Sequence, residues 1–175
     1  MTTLHATLAT ADDIDAVHAL LSAAGDRLAA RGYPNWLPAY PRQRVAENIS
    51  DGITHKVQGA GEIIAVYTLR PLPVHPYRGV DWADPAAMAR YLNRLAVHPA
   101  HQGRGVGRWC LQHVAEQCRT DGATAVRCDV LQANIPLRRF YERSGYLDRG
   151  SRFHSGWHFT VYEQVLGATG AAATL

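Results

Sequence analysis

The sequence predicts an α/β fold of the mixed-sheet, α+β kind: about six to seven strands flanked by about four helices, in one domain. Three observations predict it. Strand-like and helix-like patterns follow one another in the order β-α-α-β-β-β-α-β-α-β-β. A bare glycine run, Gly103, Gly105 and Gly107, joins a strand to a helix within "LAVHPAHQGRGVGRWCLQHV", residues 95–114. The chain has 175 residues, 47% hydrophobic and 19% charged, enough to build a core of its own.

The elements follow in order. Leu4 to Ala9 reads as a short strand. Thr10 resembles an N-cap, with Asp12 and Asp13 in the first turn, where a helix favours anions. Ile14, Val17, Leu21 and Leu28 fall on one face of that helix, which Gly32 and Pro34 stop. A shorter helix is expected from about Arg42 to Ile49, and a hairpin pairs Ile53–Val57 with Ile63–Leu69 across "QGAGE". Arg70 to Asp84 is a loop rich in proline and aromatics, and Tyr91 to Val97 is the fourth strand. A helix then runs to about Thr120, with Val106, Trp109, Cys110, His113, Val114 and Gln117 as its buried stripe. Ala125 to Leu131 is the fifth strand. Asn134 caps a helix that tolerates Pro136 in its first turn, packs through Leu137, Phe140 and Tyr141, and ends at Gly145. Strands at about Tyr146–His154 and His158–Leu166 close the domain, expected over residues 1–166, and a frayed tail follows over 167–175.

Composition limits the function classes. No apolar run approaches the ~20 residues of a membrane span. "MTTLHATLATADD" lacks the basic and apolar regions of a signal peptide. Cys110, Cys118 and Cys128 have no CxxC spacing and read as reduced thiols of a cytoplasmic chain. Net charge is only +3, and no aromatic-basic sheet motif is present, so a nucleic-acid partner is not expected. No histidine cluster has convincing ligand spacing, so no metal is expected. Of the 18 basic residues only Lys56 is a lysine.

Glycine permits positive φ and lets a ligand approach the main chain. A helix N-terminus adds unpaired N–H groups and partial positive charge, a site for phosphate. Arg104 and Arg108 add charge beside it. The plain alternative is a tight strand-to-helix turn. The Walker pattern is absent, and Gly103-Arg104-Gly105-Val106-Gly107 is followed by Arg108, which breaks the dinucleotide GxGxxG.

"QGRGVG", Gln102 to Gly107, resembles the Q/R-x-x-G-x-G/A acetyl-CoA signature of the GNAT superfamily of N-acetyltransferases. "NIPLRRFYERSGY", Asn134 to Tyr146, is similar to that superfamily's N-x(5)-FYE-x-x-GF/Y segment, and the element order agrees across nearly the whole chain. The resemblance implies a GNAT-like acyl-CoA N-acyltransferase fold, with acetyl-CoA as cofactor. It implies that the amides of Gln102, Gly103, Arg104, Gly105, Val106, Gly107 and Arg108 hold the pyrophosphate. It makes Leu95, Ala96 and Val97 the edge that pairs with the pantetheine arm where the fourth and fifth strands splay at a bulge. It further implies that an amide near Leu95 polarises the thioester carbonyl. Asn134 matches the position that contacts the arm, and it can cap its helix as well. Phe140 and Tyr141 lie in the matched segment, and Tyr141 matches the general acid; the alternative is core packing. Arg143, with Arg138 and Arg139, meets the adenosine end of CoA or forms a solvated face balanced by Glu142.

The base stays open among Asp129, His98, Glu163 and His158, each with a structural alternative. The fourth strand carries Asn93 and Arg94 where many members of the family carry Glu. The acceptor, a small-molecule or peptide amine, would meet Trp36, Tyr40, Trp82, Asp129 or Trp157, although such aromatics also cap cores or fill dimer interfaces; monomer and homodimer both stay open. The implied reaction is acetyl transfer to a primary amine by direct attack in a ternary complex. The alternative is a non-catalytic acyl-CoA sensor.

Overall fold

The computed structural model describes residues 3–75 and 77–167; the frayed tail expected from residue 167 lies, beyond Gly167, outside the described residues. Seven strands form one sheet in the order β1-β2-β3-β4-β5-β7-β6. They are β1 His5–Leu8, β2 Thr54–Gly59, β3 Glu62–Arg70, β4 Ala89–Val97, β5 Ala125–Leu131, β6 Leu147–His154 and β7 Trp157–Val165. The helices are α1 Ile14–Ala30, α2 Arg42–Ser50, α3 Val106–Thr120 and α4 Ile135–Arg143. β4 and β5 run parallel, while β1/β2, β2/β3, β5/β7 and β6/β7 are antiparallel. The mixed sheet with four helices is the one expected. By internal contacts the chain divides into two units, residues 1–70 with 92–110 and residues 71–91 with 111–175.

In the first unit, Thr10 opens the helix as expected, but through one 3-10 turn, Ala11–Asp13. Asp13 Oδ2 accepts from Thr10 N at 2.8 Å and from Thr10 Oγ1 at 3.0 Å. Lys56 Nζ donates to both Asp13 oxygens, at 2.9 and 2.8 Å. Burial acts to raise the Asp13 carboxyl, but the bonds from Lys56 and Thr10 outweigh it and hold the group below its ordinary value. Val17, Leu20, Leu21 and Ala24 of α1 join Val45 and Ile49 of α2, Val66 of β3 and Ala96 of β4 in one core cluster. The β2–β3 hairpin turns at Ala60 and Gly61, both at positive φ, +53° and +83°, as a two-residue turn between twisted strands requires.

In the second unit, β5 is an interior strand between β4 and β7 and is buried along nearly its whole length, Arg127 included. Asn134 Oδ1 accepts from Leu137 N at 3.2 Å, the expected cap, and Gly145 at φ +87° follows the end of α4. β4 begins at Ala89, two residues before the expected start, because a parallel ladder pairs Ala89, Arg90 and Tyr91 with Ala125, Val126 and Arg127. The expected stripe of α3 is displaced by about one residue. Val106, Cys110, Leu111, Val114, Ala115 and Cys118 are buried, while Trp109, His113 and Gln117 are half-buried at its border. Their polar ring and amide atoms favour a position that keeps them near water.

Candidate active site

The glycine run is built on both sides by side-chain ties. Gln102 Nε2 donates to Val97 O at 3.0 Å, and its Oε1 accepts from Arg27 Nε at 3.0 Å. The loop is thereby fixed to the end of β4 and to α1. Gly103 and Gly105 have φ of +76° and +83°. No atom lies within 4 Å of where a Cβ would stand on either, so the backbone angle, not crowding, selects glycine. Gly107 lies inside the first turn of α3. The first amide to bond back into that helix is Trp109 N, to Gly105 O at 3.0 Å. The amides of Val106, Gly107 and Arg108 precede it and have no intrahelical acceptor. Arg104 and Arg108 are exposed, and Val106 is buried as the helix's anchor.

β4 carries an irregularity just before the expected cofactor edge. Arg94 has φ +53° inside a strand, a backbone state that costs an arginine on the order of 1–3 kcal/mol. Thr68 Oγ1 donates to Asn93 O at 3.1 Å beside it. Leu95 and Val97 are half-buried, and Ala96 is in the core. The Arg94 guanidinium lies 3.6 Å from the Tyr40 ring centroid and 5.6 Å from that of Trp36. Two of the expected acceptor-side aromatics therefore share one cation. Trp36 also packs close to Gly25 of α1, its Cβ 3.4 Å from where a Cβ on that glycine would stand.

In the other unit, Tyr141 is 6% exposed. Its ring meets Tyr146 edge-on at 5.2 Å, Phe140 edge-on at 5.5 Å and Tyr162 stacked at 6.0 Å. Asn134 is 5% exposed. Arg143 is exposed and donates from Nε to Arg139 O at 3.1 Å. Arg138 donates to Tyr162 Oη at 3.3 Å and to Asp148 Oδ2 at 3.4 Å. Tyr162 Oη in turn donates to Glu142 at 2.8 Å. Arg138 thus joins a polar cluster with Glu142, Asp148 and Tyr162.

Asp129 Oδ2 accepts from Tyr77 Oη at 3.2 Å and lies 3.1 Å from His154 Nε2. Burial, followed by the Asp129 carboxylate, raises the Tyr77 phenol, so it stays a donor. Tyr77 also meets Trp82 edge-on at 5.7 Å. Trp82 lies against the Arg127 guanidinium at 4.1 Å, so it caps a buried charge. Trp157 opens β7 and is exposed.

Two base candidates have other work. Glu163 is 0% exposed; Oε1 accepts from Arg127 Nε at 3.0 Å, and Oε2 accepts from Arg149 Nε at 2.9 Å and Ala83 N at 2.8 Å. Arg127 is 3% exposed, stands opposite Glu163 in the β5/β7 register and also donates to Asp84 O at 2.8 Å. This network holds residues 82–84 of the proline-rich loop. His98 Nδ1 accepts from Ala100 N at 3.3 Å and caps a turn. Neither Arg127 nor Arg94 stands out in the sequence as more than a strand arginine, and the only signal is a charge inside an apolar run.

All three cysteines are buried. Burial pushes the Cys110 thiol up to about 12 and the Cys118 thiol up to about 11, and it raises Cys128 well above its ordinary value. At about pH 8 the native chain is expected to leave a disulfide reagent unreacted, while denaturant releases three equivalents. Prompt reaction of the native chain would show that burial fails to shield them. Among the described residues, no helix is long and apolar enough to cross a membrane, and no group of three or more His, Cys, Asp or Glu is placed to hold a metal.

The model of the acetyltransferase (GNAT) family matches residues 21–146. The chain is similar in fold to a GNAT-family acetyltransferase from Streptococcus agalactiae 2603, with a TM-score of 0.81 at 19% identity over 93% of this chain and 95% of that one. It is similar to yncA from Salmonella typhimurium, whose structure is described with its cofactor acetyl-CoA; the TM-score is 0.66 at 18% identity over 98% of both chains. A streptothricin acetyltransferase from Streptomyces lavendulae is 35% identical over 52 residues, 30% of this chain and 28% of that protein. With a glycine-cradled helix start after β4 and a matching family model that runs from within α1 past the end of α4, the chain belongs to the GNAT acetyltransferase family.

Proposed function

We propose that the chain transfers the acetyl group of acetyl-CoA to a primary amine of a small molecule or peptide, by direct attack in a ternary complex. The observation that carries this reading is the backbone of residues 102–108. Two glycines at positive φ leave their outer surface open, and three helix-start amides are without intrahelical acceptors. That cradle suits a pyrophosphate, with Arg104 and Arg108 adding charge. Bound there, acetyl-CoA supplies the thioester whose carbonyl carbon accepts the amine.

The remaining roles fall to the chain's own residues. Leu95–Val97 offers main-chain groups to the pantetheine arm, and the Leu95 amide faces the carbonyl oxygen as negative charge develops there. Asn134 and Phe140 flank the arm, and Arg143 offers charge to the adenosine end. Tyr141 holds the hydroxyl proton that the departing sulfur takes up. The three cysteines are buried as thiols, which supports direct attack over a route through an acetylated cysteine.

A thermal melt with acetyl-CoA, beside an ATP control, tests this. At a hundredfold excess over Kd, a ligand adds about 2.7 kcal/mol, which for this chain length is roughly 5–11 °C. A shift with acetyl-CoA and not with ATP is the expected result. No shift would reduce the glycine run to a turn and overturn the reading.

A further inference from the structure

We propose that Arg27 of α1 is a positioning residue for the cofactor loop. By holding the Gln102 side chain, it keeps residues 102–105 in the shape that receives acetyl-CoA. This rests on the acetyl-transfer reading and adds to it a residue 75 positions away from Gln102 in sequence, within the same unit.

A loop of this composition does not hold itself. Glycine loses more conformational freedom on ordering than any other residue. Gly103, Arg104 and Gly105 are all exposed, so packing does not pin them. The far end of the loop is secured by its helix. Val106 is buried, and Trp109 N donates to Gly105 O at 3.0 Å. The near end has weaker backbone support. Gln102 N donates to Pro99 O at 3.5 Å, beyond the ordinary range for such a bond. Its side chain supplies what the backbone lacks.

Gln102 is half-buried and uses both ends of its amide, Nε2 on Val97 O and Oε1 under Arg27 Nε, each at 3.0 Å. The two bonds admit one orientation only. A flipped amide would set its N–H groups against the guanidinium and its oxygen against a carbonyl. The bond from Arg27 is charge-assisted, the stronger kind. Without it the amide keeps one tie, to Val97, and gains freedom to swing about it. Arg27 is exposed, so the bond adds little to the stability of the fold. Its worth lies in binding. A loop already ordered loses less entropy when a ligand settles on it, and an unordered one takes that cost at the binding step. Arg27 acts through Gln102, so its effect falls on affinity for acetyl-CoA and not on the chemical step.

The test is a double-mutant cycle on the full chain, with acetyl-CoA titrated calorimetrically and Tm taken without ligand. Binding by the parent is scored first. Arg27→Met should raise Kd for acetyl-CoA by about 3- to 10-fold, the worth of one hydrogen bond. The unliganded Tm should stay within about 2 °C of the parent, because the bond is exposed. Arg27→Lys should recover part of the affinity, since it keeps a cationic donor. Gln102→Leu removes both ties and should weaken binding at least as much. Adding Arg27→Met to Gln102→Leu should then change Kd by less than about twofold, the mark of two residues acting as one. An unchanged Kd in Arg27→Met would overturn the proposal. So would a full further loss in the Gln102→Leu background, which would mean that Arg27 meets the cofactor itself or acts by charge alone. A marked fall in the unliganded Tm of Arg27→Met would make the residue a support of the fold and would overturn it too. Each of these leaves the acetyl-transfer reading in place. A parent that binds no acetyl-CoA would overturn both.

Discussion

Replacing Glu163 with glutamine is expected to lower Tm by roughly 6–20 °C, through a loss of about 3–5 kcal/mol. The Glu163 carboxylate accepts from Arg127, Arg149 and the Ala83 amide, and it is fully buried. Glutamine keeps the volume but removes the charge, and it turns one acceptor into an N–H donor facing other donors. Arg127 is then left as a buried cation whose remaining partners are neutral: Tyr91 Oη, Asp84 O and the Trp82 ring. The cost exceeds that of an exposed pair because no water takes the missing role. Arg149→Met is the milder comparison, since Arg149 is partly solvated. A Glu163→Gln chain that melts within about 2 °C of the parent would mean that Arg127 is rehydrated, and the network would then be ornamental to stability.

The second large effect is kinetic. Tyr141→Phe should lower kcat by about 10²- to 10⁴-fold, the usual contribution of a positioned acid. The substitution deletes one oxygen and keeps the ring that packs on Phe140, Tyr146 and Tyr162, so the fold and the melting shift with acetyl-CoA should persist. That combination separates a proton donor from a core residue. Equal rates in the variant and the parent would end the acid role. A fall in Tm with unchanged kcat would make Tyr141 a packing residue alone.

The elements themselves were largely legible in the chain. β5 appears over the expected residues because Gly122 and Asn134 bound an apolar run of strand length. The Asn134 cap and the positive-φ glycines at 103 and 105 follow from local chemistry that a sequence displays directly. The misses share a different cause. Arg127 and Glu163 read as ordinary strand charges because each finds its partner 36 residues away, and only the sheet register brings them opposite. Glu163 therefore entered the list of possible bases although both of its oxygens are taken. The packing of Trp82 on Arg127 was illegible for the same reason: an aromatic in a loop carries no sign that a buried guanidinium lies beneath it.

The Lys56–Asp13 pair has a consequence for an enzyme that works beside a reactive acyl donor. Lysine amines are the side chains most open to stray acylation, whereas guanidinium groups stay charged and poorly nucleophilic. Of its 18 basic side chains only Lys56 is a lysine, and its nitrogen sits between two carboxylate oxygens, with both side chains mostly buried. Lysine self-acetylation has a single address here, and an ion pair occupies it.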